Sequence, residues 1–340
     1  MSSEPEAQPG ESAAVFAPGP GRLLLHGLSS NQVWVIAGVF FYVGGNLLDR
    51  FGKRLQTAAD RLLENGLVAD FPESAWLLGL VVLVGFLLLL FGLSALLALM
   101  RYWRFILLER EGRLIAAGGL FDRREQTLRR TKVTGLVLRQ SAVGRLLGCW
   151  SVIVRQTRSS EQEPGAGRNA FLVPALRTAD RRLTENLLSG AVFPARFVGI
   201  SPLFRRFAWS RLLLALILTV ILLASVLGID HWSLLAVALA AAIYLPAVQL
   251  RFRHWGWALE GRLLWVRRGL LGQRIDGFAL DQVQQARVTS SPYLRRHDLV
   301  GLELVLPQGT IGLPFLTAPA AAELANRALA AAEQAPTHQV

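Results

Sequence analysis

Two stretches decide how this chain of 340 residues is read: Gly112-Arg113-Leu114-Ile115-Ala116-Ala117-Gly118-Gly119-Leu120 and Gly261-Arg262-Leu263-Leu264-Trp265-Val266-Arg267-Arg268-Gly269-Leu270. Both open on Gly-Arg-Leu and reach a Gly-Leu pair, with one residue of slippage between them. From Gly119 to Val133 and from Gly269 to Val283 the spacing is 14 residues in each case. Further on, Arg145 and the β-like run Ser151 to Val154 correspond to Arg295 and the run Gly301 to Val305. Pro174-Ala175-Leu176 matches Pro314-Phe315-Leu316, and each leads into an Ala/Leu-bearing helical stretch, residues 178–188 and 318–332. The chain therefore repeats itself at a separation of 150 residues, from Val133 to Val283. Between Val133 and Pro174 lie 41 residues against 31 in the second copy, and the excess falls in the polar stretch Arg155 to Asn169, as in a surface loop.

Each copy has short, Gly-punctuated apolar runs, such as Arg104-Phe105-Ile106-Leu107-Leu108 and Gly135-Leu136-Val137-Leu138, followed by one helix. Strands first and helix last, rather than alternation, predict an antiparallel α+β module, a barrel capped by its C-terminal helix.

Outside the copies the chain is apolar. Of all residues 52% are hydrophobic and 18% charged, with a mean hydropathy of +0.39. A charged fraction below the usual ~25% excludes a disordered chain and predicts that lipid solvates part of the molecule. Four uncharged runs read as spans: 32–48, 75–100, 212–229 and 232–250. The 26 residues of the second exceed the ~20 needed to cross the hydrocarbon core. The fold class expected is a polytopic α-helical membrane protein with two cytoplasmic α+β modules. Its parts are a disordered tail and connector (1–30), a first transmembrane pair (31–100), a first module (101–190), a linker (191–210), a transmembrane hairpin (211–250) and a second module (251–335). The tail carries Glu4, Glu6 and Glu11 and lacks the basic residues that open a signal peptide.

Charge sets the orientation. Of 36 Lys and Arg, 21 lie in residues 101–211 and 10 in residues 251–340, and the short loop at Asp230 and His231 has none. The positive-inside rule places both modules and both termini in the cytoplasm of an inner-membrane protein, with residues 49–74 outside. Against 8 acids the first basic segment is +13, whereas the second, with 7 acids, is +3. No helix-turn-helix, zinc finger or RNA-recognition signature accompanies the charge, so nucleic acid is not an expected partner.

The pattern Trp103-Arg104-Phe105 leaving a span, then Gly112-Arg113-Leu114, Gly119-Leu120, Arg123-Arg124, Leu128-Arg129-Arg130-Thr131-Lys132-Val133 and Arg145-Leu146-Leu147-Gly148, resembles the bacterial pleckstrin-homology-like (PH) domain of YdbS/YdbT-type membrane proteins. In the second copy Arg295-Arg296-His297-Asp298 and Ala279-Leu280-Asp281-Gln282 depart from that pattern. YdbT-like proteins typically carry three such modules, and two are read here. The resemblance implies PH-like barrels acting as binding modules, with a scaffold role in envelope homeostasis.

The strongest local signal is the basic cluster Arg123, Arg124, Arg129, Arg130 and Lys132. Arginine's planar fork suits phosphate, and basic groups beside an anionic leaflet gain on the order of 1 kcal/mol each. Membrane lipids with anionic head groups are the expected ligand, and a solvated positive-inside face is the alternative. A partner protein or a second copy of the chain is the other partner considered, and an accessory subunit of a transport or export system the other role. Five scattered histidines, a lone Cys149 read as a small core residue, and the absence of a P-loop or nucleophile elbow argue for no enzyme, no metal and no cofactor.

Overall fold

The structure, a computed structural model, describes residues 13–30, 33, 35–39, 42, 75–156, 171–188, 192–226, 231–307 and 309–334. It opens with β1 (Ala13–Phe16), α1 (Pro20–Ser29) and the apolar helix α2 (Ala75–Arg101). The first copy continues as β2 (Ile106–Arg110), β3 (Arg113–Gly118), β4 (Arg124–Arg129), β5 (Val133–Gln140), α3 (Ala142–Leu146), β6 (Cys149–Gln156), β7 (Phe171–Arg177) and α4 (Arg181–Leu187). The second comprises β8 (Val198–Gly199), α5 (Leu203–Val226), α6 (His231–His254), β9 (Gly256–Glu260), β10 (Leu263–Arg268) and β11 (Gln273–Ala279). It ends with β12 (Gln285–Thr289), α7 (Pro292–Arg295), β13 (Leu299–Leu306), β14 (Gly309–Thr317) and α8 (Ala318–Glu333). The repetition reaches single side chains. Ser141 caps α3 by accepting from the Gly144 amide at 2.9 Å, and Ser291 caps α7 by accepting from the Leu294 amide at 3.3 Å.

All strand pairs are antiparallel, in three sheets ordered β1-β2-β3-β4, β7-β6-β5-β11-β10-β9-β8 and β12-β13-β14. The central sheet belongs to both copies. β5 of the first pairs with β11 of the second, from Gln140 opposite Gln273 to Gly135 opposite Phe278. Burial explains why this junction holds. In β10 the four residues Leu263 to Val266 are all buried, and alternate side chains of a strand point to opposite faces. Leu263 and Trp265 complete a core with Leu107, Leu136, Val152 and Val173 of the first copy. Leu264 and Val266 face the second core, built from Leu302, Leu304, Ile311 and, from α8, Leu324 and Ala328.

Several expectations are corrected here. The chain is a mixed α/β molecule with fourteen strands among its described residues, not a polytopic α-helical one. Among those residues one stretch, Leu83–Arg101, is long and apolar enough to cross a membrane. Residues 212–226 of the third run and all of 232–250 belong to α5 and α6, which also carry Arg205, Arg206, Arg211, Arg251 and Arg253, and residues 227–229 lie outside the described residues. The first of these helices docks on the second copy: Phe204 lies edge-on to Phe315 at 5.4 Å and Phe207 lies over Tyr293 at 4.9 Å. Both phenylalanines precede the uncharged run, whose Leu213, Leu214, Ile217, Leu218 and Ile221 are exposed, and an uncharged run records apolarity alone. Most of the run at 32–48, all of 49–74, and residues 157–170 of the polar loop lie outside the described residues.

Residues 13–29, read as tail and connector, form β1 and α1. β1 pairs with β2 (Ala14 opposite Leu108), and Ser94 Oγ of α2 donates to the Gly27 carbonyl at 2.8 Å. Instead of closing a barrel, each copy stacks two half-sheets: among the described residues no ladder joins β4 to β5, or β11 to β12.

Two predictions follow from this packing. A Cβ on Gly277 would stand 2.4 Å from the Trp265 ring, whereas one on Gly312 meets nothing within 4 Å. Gly277→Ala should cost about 1–3 kcal/mol by overpacking, and Gly312→Ala a few tenths at most, read as denaturation midpoints. The partly buried His26 packs edge-on to Tyr102 at 5.7 Å, and burial pulls its imidazole from 6.5 to about 4. Between those pH values the unfolded chain binds a proton that the folded chain refuses. Stability should therefore be complete above pH 6.5 and fall by up to about 3 kcal/mol as pH drops through this window. His26→Gln should flatten that part of the stability-versus-pH curve.

Candidate anion-binding site at the end of the apolar helix

The last turn of α2 leaves backbone carbonyls without helical partners, and the β3–β4 turn supplies their donors. Leu120 N–H donates to Met100 O and Gly119 N–H to Trp103 O, both at 2.9 Å. Only glycine fits at 119: its φ is +126°, and a Cβ there would lie 2.2 Å from Asp122 O. The docked turn leaves Leu120 exposed and Phe121 84% exposed, beside the end of the helix. Val35, Ile36, Leu97 and Met100 line, with Phe121, an apolar hollow of about 550 Å³ at this place.

Around the turn stand three guanidinium groups. Arg101 closes α2, its guanidinium carbon 5.6 Å from the Tyr102 ring centre, while Arg123 and Arg124 enter β4. Arg124 Nε donates to Asp122 Oδ2 at 2.6 Å, an exposed pair that adds little to stability. Arg101 and Arg123 have no carboxylate within 4.0 Å among the described residues. All three line a half-open cavity of about 800 Å³ with Tyr102, Gln126 and Thr127. Burial pushes the Tyr102 phenol up, with Arg101 opposing, so it stays a neutral donor at the cavity wall. The arrangement offers forked donors to a phosphate or carboxylate, with an apolar surface alongside for an acyl or other hydrocarbon group.

Of the five residues singled out in the sequence, the structure brings two to this site. Arg129, Arg130 and Lys132 lie at the other end of β4, about 17 Å along a strand that rises ~3.3 Å per residue. There Arg129 faces Arg113 across the ladder, and Arg130 Nη1 donates to Glu109 Oε1 at 2.5 Å. Arg101 was missed, although it is the first charge after the longest uncharged run. Cys149 is buried, and burial raises its thiol pKa against the opposing pull of Arg177 and Arg22. Among the described residues no three His, Cys, Asp or Glu side chains gather to hold a metal.

The family model for the bacterial PH domain matches residues 66–189 and again 202–332. The chain belongs to the bacterial PH domain family. No curated protein and no solved structure matches it. PH domains are in general non-catalytic modules that bind lipids or proteins. The first bacterial PH match takes in α2 and the second takes in α5 from Leu203 and α6, so α2 and the docked turn lie within the first matched segment. The two domains differ at one edge. In the second, β5 covers the outer edge of β11; in the first, β4, the counterpart of β11, ends its sheet among the described residues.

Proposed function

We propose that this bacterial PH protein is a non-enzymatic component of the cytoplasmic face of the inner membrane, where its first domain binds anionic head groups through Arg101, Arg123 and Arg124. The observation that carries this reading is the turn docked on the end of α2. It sets two exposed apolar side chains, Leu120 and Phe121, beside three arginines at the end of the one helix stretch among the described residues that is apolar enough to enter a bilayer. The excess of basic residues in 101–211 supports the cytoplasmic side. We assign it a scaffold role of the YdbS/YdbT type in envelope homeostasis.

A second reading rests on the open edge of β4. The same edge in the second domain is filled by β5, so a peptide strand from a partner protein, such as a transport or export subunit, fits beside β4 by strand addition. A partner bound this way would protect the β4 amides from exchange, and lipid alone would not.

Full-length protein in neutral detergent, titrated with short-chain phosphatidylglycerol and phosphatidylcholine, separates head-group binding from insertion of α2. Phosphatidylglycerol should bind preferentially and less well at high salt. With ~1 kcal/mol per arginine, the triple variant Arg101→Gln, Arg123→Gln, Arg124→Gln should weaken it about 100-fold, and Arg129→Gln should leave it unchanged. Equal binding of the two lipids, or an unaffected triple variant, contradicts the reading.

A further inference from the structure

Where the two repeats join, arginines stand directly opposite one another. Across β5, β11 and β10 the register places Arg139 opposite Arg274, and Arg274 opposite Arg268. Neighbouring strands lie ~4.8 Å apart, and like charges directly opposite destabilise a ladder. A fourth arginine, Arg155 of β6, reaches the same face. One carboxylate serves the group. Asp276 is 1% exposed, accepts from Arg274 Nη2 at 2.8 Å, Arg274 Nε at 3.0 and 3.1 Å and Arg155 Nη2 at 3.4 Å, and forms an ion pair with Arg268 Nη2 at 3.1 Å. Arg139 has no carboxylate within 4.0 Å among the described residues. The cluster thus carries four positive charges against one negative.

This imbalance opposes the fold and is concentrated rather than dispersed. Arg139, whose side chain is partly desolvated where it leaves the sheet, and the more buried Arg155 are held below the usual arginine range, first by that desolvation. Arg274 and Arg268 push both further down, and Asp276 alone opposes. Solvent still reaches the group: the side chains of Arg155, Arg268 and Arg274 are 21–30% exposed, and Arg139 is exposed. Arg139 and Arg274 open into a cavity of about 420 Å³ that Ser30, Ser141 and Ser151 also line. Asp276 can accept from only a few of the twenty guanidinium N–H donors that four arginines carry, and its contacts hold the forks of Arg155, Arg268 and Arg274 in place before a ligand arrives.

We propose that Arg139, Arg155, Arg268 and Arg274 form a binding site for a phosphate group at the seam between the two bacterial PH domains. A dianion there cancels most of the uncompensated charge and accepts from forks of both repeats at once. Because two of the arginines come from each copy, the site exists only in the joined molecule, and an occupied site ties β5 and β6 to β10 and β11. It is separate from the Arg101, Arg123 and Arg124 site. The phosphate belongs either to a soluble phosphate compound or to a lipid head group, and the experiment separates these sources.

The full chain in neutral detergent is titrated with pyrophosphate, and in lipid nanodiscs its binding of phosphatidic acid is compared with phosphatidylcholine. The variant is Arg139→Gln, which breaks no ion pair. Binding is read by thermal shift and calorimetry against sodium chloride of equal ionic strength. Pyrophosphate, phosphatidic acid or both should stabilise the wild type, and Arg139→Gln should weaken that binding about tenfold. The Arg101→Gln, Arg123→Gln, Arg124→Gln variant should retain it, so failure of the head-group site and of this site are told apart. Pyrophosphate alone active identifies a soluble ligand; phosphatidic acid alone active identifies a lipid. No stabilisation beyond sodium chloride by either probe, or binding unchanged in Arg139→Gln, overturns the proposal.

Discussion

Pairing of β5 with β11 is the interaction on which the rest of the molecule depends. It turns two copies of one sequence pattern into a single seven-stranded sheet. Trp265, fully buried, belongs by sequence to the second copy and by packing to the core of the first. Without that pairing the first core loses Leu263, Trp265 and Ile275, and the last strand of each half-sheet presents an open edge, which proteins avoid. The same pairing brings Arg155 to Asp276 and sets Arg139 opposite Arg274, so the seam carries both buried core and clustered charge.

Both proposed sites consist of arginines positioned by backbone. At the end of α2 the β3–β4 turn binds helix carbonyls and holds Arg123 and Arg124 next to Arg101. At the seam, strand register alone sets Arg139, Arg274 and Arg268 in a row. Neither site needs a nucleophile or a metal, in keeping with a family of binding modules. The counterpart of Arg124 at a distance of 150 residues is Arg274, so one position in the repeat serves a different neighbourhood in each copy. In the first it borders an open groove, and in the second it faces the strand of the preceding domain.

Much of this was legible in the sequence. The separation of 150 residues is seen again in the paired serine caps, and the Gly-Leu pairs do mark tight turns before β4 and β11. Pairing across copies was not legible, because β5 and β11 are far apart in the chain and each reads as an ordinary apolar strand. The last two apolar runs misled because each is only part of a longer helix: α5 and α6 extend into arginine-bearing turns, and α5 meets the second copy through Phe204 and Phe207, ahead of its run. β1 was missed because Ala13 to Phe16 is short and gains its order from pairing with β2 and from Val15 and Phe16 packing on the first core. The basic cluster was read as one site because its members are close in sequence, and an extended strand carries such neighbours far apart. Arg139, Arg155, Arg268 and Arg274 show the converse, assembled from four strands with no signal in any one of them.

Native-state hydrogen exchange on the full chain tests the central claim most directly, that the two repeats form one cooperative structure through the β5–β11 ladder. Amides of Leu136 and Leu138 in β5 and of Ile275 and Phe278 in β11 should merge into one opening transition, with the same free energy and denaturant dependence. Two transitions, with β11 opening while β5 stays protected, would contradict it.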